Sequence, residues 1–539
     1  MGRRAKTPYI QMNLGDTFLS LSPRAQKQIK ESRLGYFGDE VFNRLPYQDF
    51  AVVYKETGRG PSNLLYLVAA FMLLVQEDLT VDELMLRIDS DASIQYAMHT
   101  TSMSKQPISR RNLFYFLAGI EKYQMETGIS LYEQCWKKLT DQNVKFMGLN
   151  RPSSSGRIKT RMDSLMVSTS AKRLGRTGII YTVNQDAVKL YAQLMSVDIP
   201  ENLLHYLDDS DRNTVIYHNK NKKEAKLTAL LTESLQIREL LHDEEWHDFE
   251  QYKNLVRCID DQCTIDDNGV PVPKNDHAIK STSLQSPREA DATVRTKNKN
   301  TYVGDVANVC ETYNDEGDAQ ITDADLKPNV YTDKDFFKDY IDAKPEVGPD
   351  TVEEQCTTDA AFCTMENVDL AAQKGVMLIP TALTSSETNP LYADFKLDED
   401  GRSLLTCPRG CSPDRQKFNG KTGKVTAWFA RPTCEGCPYF DSCPHKKQKK
   451  ECKVEVTKEQ VARADFQGAI SEKDYSQHGR ERNAVEAIPS IFRRKYGIDH
   501  MRTRRPGIRQ AKFFCILMAY NGQKHQKFLN RHRVDYAFA

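Results

Sequence analysis

No apolar stretch of this 539-residue sequence is long enough to span a bilayer: the longest, Leu64 to Val75, falls well short of the ~20 residues a membrane helix needs. A charged-then-apolar leader ending in a small-residue cleavage site is also missing, so the expected location is cytoplasmic, with no membrane partner. Net charge is scarce too. Lysine and arginine number 75 against 74 for aspartate and glutamate, a formal +1, so overall charge gives no argument for a nucleic-acid partner. Hydrophobic residues at 39% and charged residues at 28% exclude the disordered and fibrous classes. Without an export signal, the 13 cysteines read as reduced thiols, some of them free to bind metal.

From about Pro23 to Asp141 apolar residues recur at three- and four-residue spacing in LLYLVAAFMLLV, DELMLRI and NLFYFLAGIEKY, which predicts helices. Thr80 with Glu83 three residues on is a capping box, and Ser109 caps the next helix, placing Arg110 and Arg111 in its first turn. A short helix, a turn at Pro107 and a helix opening with two arginines suit a DNA major groove, an outline that ordinary helical bundles share. We expect a helical DNA-binding domain over 1–150.

After RPSSSGR the helical spacing stops, and RMDSLMVSTS reads as a strand with Asp163, Leu165 and Val167 on one face. Strand and helix patterns then alternate: TYVGDVANVCETY and DAQITDADLKP joined by the turn NDEG, helical DKDFFKDYIDA, the stretch EEQCTTDAAF, helical NVDLAAQKG and the strand VMLIPTAL. The expected fold class is α/β, a mixed sheet flanked by helices, over 157–391. A helical insertion is expected at about 185–265, with DDQCTIDDNGVPVPKND a loop, then a cysteine-rich insertion over 392–453 and a helical, basic end over 454–539.

The acids of interest are Asp163 between apolar strand neighbours, Asp359 after EEQCTT, and Glu486, flanked by Arg482 four residues before and Arg493 seven after. A carboxylate in an apolar strand needs a partner or a metal to offset desolvation. With 74 acidic residues, composition alone does not select three, and any one aspartate is more often a cap or a solvated charge. From Ser490 to Lys512 only Asp499 opposes a run of basic residues, which suits phosphates or an ordinary solvated helix face. CPRGC at Cys407–Cys411 and CEGCPYFDSC, with Cys434, Cys437 and Cys443, offer paired thiolates of the kind tetrahedral zinc takes, or else free thiols in a loop-rich insertion. HKKQKK follows them as a DNA-backbone contact or a solvated run. Cys135, Cys310 and Cys515 lie among apolar residues and read as core.

In order, RMDSLMVS, ADATVRTKNKNTYVGDV, TTDAAFCTMENVDLAAQKGV and RNAVEAIPSIFRRKYG resemble the DDE transposases of bacterial insertion sequences. VDELMLRIDSDASIQYAM and PISRRNLFYFL resemble the N-terminal domain of the branch with a cysteine-bearing insertion before the glutamate. The resemblance implies a ribonuclease H-like sheet, with Asp163 on its first strand, Asp359 after a later strand and Glu486 on a helix, together holding catalytic Mg²⁺ or Mn²⁺. It implies structural Zn²⁺, in a zinc-ribbon-like insertion, on Cys407, Cys434, Cys437 and Cys443, with Cys411 the alternative to Cys407. Arg482 and Arg493, with Arg110 and Arg111, become DNA-phosphate ligands, and the implied partners are double-stranded DNA and a second copy of the chain on it. Strand cleavage and strand transfer are the implied activity. A catalytically inactive DNA-binding derivative and a nuclease without joining are the rivals. The sequence departs from the family where Gly479 replaces a tyrosine, where Arg493 replaces a lysine, and at Pro489, which should kink the helix just after Glu486.

Overall fold

Leu64–Gln76 (α1) is apolar on every side and buried along its whole length, so it forms only because other helices enclose it. The structure is a computed structural model that describes residues 15–54, 63–102, 106–168, 174–195, 199–209, 212, 215–216, 223–297, 299–348, 351–380, 388–469, 480–501 and 503–532. Val81–Ser90 (α2) starts at the expected capping box, Thr80 accepting from the Glu83 amide and Glu83 from the Thr80 amide. Arg110–Thr127 (α3) is capped by Ser109 and ends at Gly128, whose φ of 71° is the left-handed geometry that lets a chain leave a helix. Leu131–Met147 (α4) follows.

Ile158–Ser168 (β1) is the expected first strand, with residues 169–170 of that reading outside the described residues. Three helices follow, Arg176–Leu194 (α5), Lys223–Leu240 (α6) and Glu250–Gln262 (α7), around an apolar cluster of their own. Two readings change here. α5 begins at Arg176, before the expected 185, because Ile179, Ile180, Tyr181 and Val183 are all buried and leave no one-sided stripe to see. The expected loop contains a small antiparallel pair, Cys263–Ile265 with Pro271–Pro273. Much of the NKNKKEAK segment lies outside the described residues.

Thr293–Lys297 (β2), Asn300–Tyr313 (β3) and Ala319–Pro328 (β4) come next, the last two joined by the expected turn. Asp333–Asp342 (α8), Glu354–Thr358 (β5), Met365–Gln373 (α9) and Val376–Pro380 (β6) complete this part. β1 lies between β3, antiparallel, and β5, parallel; β6 runs parallel beyond β5, and β3 also pairs antiparallel with β2 and β4. This mixed sheet flanked by helices is consistent with a ribonuclease H-like transposase fold. Met162 and Cys310 face one apolar cluster while Leu165 and Val167 face another, so β1 is covered on both sides.

A second, antiparallel sheet holds Arg415–Asn419 (β7), Lys424–Ala430 (β8), Lys446–Lys447 (β9) and Glu451–Thr457 (β10), in the order β7, β8, β10, β9. Val425, Ala427 and Phe429 alternate inward opposite Val454 and Val456. Lys458–Ala469 (α10), Ala487–Tyr496 (α11) and the long Pro506–His532 (α12) follow. α12 packs on α4, α1 and α3, and a single apolar cluster runs from Leu34 through α1–α4 and β1 to Tyr520. Among the described residues no single helix is long and apolar enough to cross a membrane.

Candidate active site

Asp163 sits midway along β1, opposite Val309 of β3, with its Oδ1 accepting from the Ser164 amide at 2.9 Å. Asp359 is the first residue past β5 and caps the short turn Ala360–Phe362 by accepting from the Ala361 amide. Glu486 immediately precedes α11, in a turn where the Val485 amide donates to the Arg482 carbonyl and the Ile488 amide to that of Val485. This corrects the expected placement of Glu486 within a continuous helix. Pro489 has no amide to give the Val485 carbonyl and its ring opposes a helical turn there, so α11 starts after the glutamate instead of kinking beyond it. Val485, Ile488 and Phe492 are fully buried and hold the segment down in the main core.

The three acids meet at Arg482. Its guanidinium lies 2.7 Å from Glu486 Oε1, 3.5 Å from Asp163 Oδ1 and 3.8 Å from Asp359 Oδ2. The Arg482 and Asp163 side chains are 13% and 16% exposed, while Asp359 and Glu486 are half exposed, so the cluster opens to solvent on one side. The three carboxylates do not close to within 4.8 Å of one another; the arginine stands between them. Burial pushes the Asp163 pKa up to about 6; Arg482 and the Ser164 amide oppose that rise, and the charges of Asp359 and Glu486 add to it.

A neighbouring network fixes where Arg482 stands, and sequence reasoning missed it. Arg161, on β1, donates to Glu311 at 2.8 Å and to the backbone carbonyl of Glu481 at 2.8 Å. Lys159 and Tyr313 hold the Glu481 carboxylate at 3.2 and 3.0 Å, and Tyr520 of α12 reaches Glu311 at 3.0 Å. These residues clamp the position next to Arg482 to the first strand. The only hint in the sequence is that β1 carries Lys159 and Arg161 on alternate residues in a buried strand.

The remaining basic candidates lie apart from the acids. Arg493 donates to Asp499 at 2.9 Å and to the Met166 carbonyl at 3.0 Å, three residues along β1 from Asp163. Arg110 pairs with Asp82 at 2.7 Å and Arg111 lies over the Tyr115 ring, both on the first turn of α3. The basic run from Ser490 to Lys512 is not one phosphate-facing stripe. Arg509 is buried and bound to Glu289 at 3.0 Å, Asp305 at 2.6 Å and Asp291, because an unpaired guanidinium could not be buried there. Arg502 and Gly479 lie outside the described residues.

Cys407, Cys434, Cys437 and Cys443 line one small pocket with His445. Tight turns bring them there: the Gly410 amide donates to the Cys407 carbonyl, the Cys437 amide to that of Cys434, and the Cys443 amide to that of Tyr439. Cys411 lies beside Cys407, and Cys452, fully buried on β10, lies beside Cys434. No three of these sulfurs lie within 4.8 Å of one another. Burial raises the Cys434 and Cys443 thiols, and neighbouring cysteines add to it. Cys452 stands alone in a strand pattern, outside the short Cys-to-Cys turns, so spacing gave no signal for it. Cys135, Cys310 and Cys515 are core residues, as expected.

Residues 406–524 match the family model described as Transposase DDE domain. No curated protein matches the chain, and no solved structure does. The matched segment takes in the cysteine pocket, Arg482, Glu486 and most of α12, and leaves Asp163 and Asp359 before it. DDE transposases act on DNA and generally use divalent metals such as Mg²⁺. The segment that carries Glu486 is thus similar to a transposase DDE domain, and it is clamped through Glu481 to the strand that bears Asp163.

Proposed function

We propose that the chain cuts DNA at the ends of its own mobile element and joins the freed 3′-hydroxyl to target DNA, with Asp163, Asp359 and Glu486 as the catalytic carboxylates. The observation that carries this is the approach of all three, from a strand, a strand exit and a helix start, to within 4 Å of one guanidinium. The donor set fits Mg²⁺, or Mn²⁺ in its place: hard carboxylate oxygens gather where a positive charge is already accommodated. When bound, the ions stabilise the attacking and departing oxygens of a phosphodiester. Cleavage breaks the bond from phosphorus to the 3′ oxygen as a water oxygen bonds to phosphorus. Joining makes a bond from that 3′ oxygen to a target phosphorus as one target bond breaks. Arg482 and Arg493 hold phosphate oxygens, and the polar half of the cluster faces the DNA.

On this reading the helical region 1–150 binds element ends through Arg110 and Arg111, and 157–391 with 454–539 forms the catalytic part. The insertion 392–453 is a zinc-ribbon-like unit with structural Zn²⁺ on Cys407, Cys434, Cys437 and Cys443, adjoined by Cys411 and Cys452. Four thiolates would leave no open position for chemistry. The chain works in the cytoplasm, on the nucleoid, as a dimer or larger assembly on DNA.

The test is strand cleavage and joining on DNA carrying the flanks of the chain's own gene. Asp163→Asn, Asp359→Asn and Glu486→Gln should each lower Mg²⁺-dependent cleavage by at least ~10²-fold, the loss typical when one preorganised electrostatic group goes, with DNA binding retained. Full cleavage by any of them sinks the assignment. Cleavage without joined products would leave a nuclease, and binding without cleavage by the unaltered chain a DNA-binding derivative.

A further inference from the structure

Where α1, α2, α3 and the start of α12 meet, a groove of about 910 Å³ opens. Its floor is apolar: Leu74, Leu79, Val81 and Ile508 line it, and Phe114 stands in its wall with 45% of its surface exposed. Its rim is cationic. Arg110, Arg504, Arg505 and Lys512 face Asp82 as the single acid lining it. Arg504 and Arg505 are exposed and make no ion pair among the described residues. Arg110 already gives one face to Asp82 and lies over the Phe114 ring at 5.1 Å. Of the arginines of α11 and α12, Arg493, Arg509 and Arg531 have acidic partners close by, whereas among the described residues Arg504 and Arg505, just before α12, have none.

That combination selects among DNA shapes. A duplex offers phosphates outside and base edges inside grooves about 12 and 6 Å wide, so its base faces never reach a floor of leucine, valine and phenylalanine. Unpaired nucleotides offer both a backbone for the arginines and a ring face for the phenylalanine. The size agrees, since clefts of roughly 300–1,000 Å³ enclose molecules of one or two nucleotides, not a duplex. The groove is joined to the end of β1 through the chain: Asp499, which holds Arg493 and the Ser168 amide there, is only a few residues before Arg504.

We propose that this groove binds a short unpaired DNA segment, its phosphates on Arg504 and Arg505 and a base against Phe114. The inference rests on the reading of the chain as a DNA-strand-processing enzyme, and names the DNA form that a surface away from the carboxylates takes.

The experiment uses the full chain without divalent metal and two fluorescent probes, a (dT)₁₅ strand and a blunt mixed-sequence 15-base-pair duplex. Fluorescence anisotropy gives both affinities in ~0.1 M salt. Arg504→Ala with Arg505→Ala, and separately Phe114→Ala, should each weaken (dT)₁₅ binding about ten-fold, the scale of one stacked base, while duplex binding changes less than two-fold. All three side chains are exposed, so an unchanged melting temperature should accompany the loss. Equal loss on both probes, or no loss on (dT)₁₅, would overturn the proposal. Strand cleavage fails independently: a chain that binds (dT)₁₅ through this groove but never cuts DNA sinks the catalytic reading alone. One that cuts DNA while the groove variants bind like wild type sinks only the groove.

Discussion

Arg482 stands among the three carboxylates, so on the proposed reading protein cation and metal would compete for the same acids. A unit charge about 4 Å away is worth about 1 kcal/mol in water and about 4 kcal/mol at the effective dielectric of a protein surface. The lower end applies here, because Asp359 and Glu486 are half exposed. Arg482→Gln should therefore bind Mn²⁺ about ten-fold more tightly in the absence of DNA, each decade being 1.4 kcal/mol, as read by isothermal titration calorimetry. The same variant should cut DNA more slowly if, as proposed, Arg482 holds a phosphate oxygen. Unchanged or weaker Mn²⁺ binding would mean that the guanidinium does not share the ions' position.

At the scale of elements, α12 is fastened to the sheet by a buried cation. Arg509 satisfies Glu289, Asp305 and Asp291 together, and Asp305 is itself pushed up to about 6 by burial, with Arg509 opposing. Removing the guanidinium strands buried carboxylates, which typically costs about 3–5 kcal/mol. Arg509→Met should lower the unfolding free energy measured by urea titration by that much, and adding Asp305→Asn should restore part of it. A loss under about 1 kcal/mol would show the acids to be hydrated without Arg509. Such partners also mark how far sequence could be read. β1, the hairpin turn after Tyr313 and the capped helices α2 and α3 were legible because alternation, turn residues and caps act locally. Arg509 read as part of a basic face, because its partners lie some two hundred residues away along the chain. The break before α11 was half legible: Pro489 announced a disturbance, but Val485, Ile488 and Phe492 kept a helical spacing across it. Asp163 was conspicuous by itself in a strand, whereas Asp359 and Glu486 could be picked only by resemblance, since nothing in a sequence records that Arg482 brings them together.

For the whole molecule, the two ends of the chain share one core, and a single histidine sits at the seam. His525 of α12 is buried against Tyr36, its Nδ1 2.8 Å from the tyrosine hydroxyl, with Phe146 and Phe528 packed nearby. Burial, and then the Arg44 cation, pushes its pKa down to about 4. An unfolded histidine takes up its proton near 6.5. Above that value both states are neutral and pH has no hold on the seam. Between about 6.5 and 4 the unfolded chain carries a proton that the folded chain refuses, so stability falls as pH falls, by up to about 3 kcal/mol. Buried acids such as Asp305 and Asp323, both pushed up to about 6, have the opposite slope, so the raw pH profile mixes the two. Subtracting a variant isolates the histidine. His525→Gln keeps a side chain able to hydrogen-bond Tyr36 and removes the titration; the urea midpoint of wild type minus that of the variant should be flat from pH 8 to 7 and decline from pH 6.5 to 4.5. A difference that stayed level throughout would mean that protonation of His525 is accommodated in the fold, and that the two ends of the chain are not held together by a neutral seam.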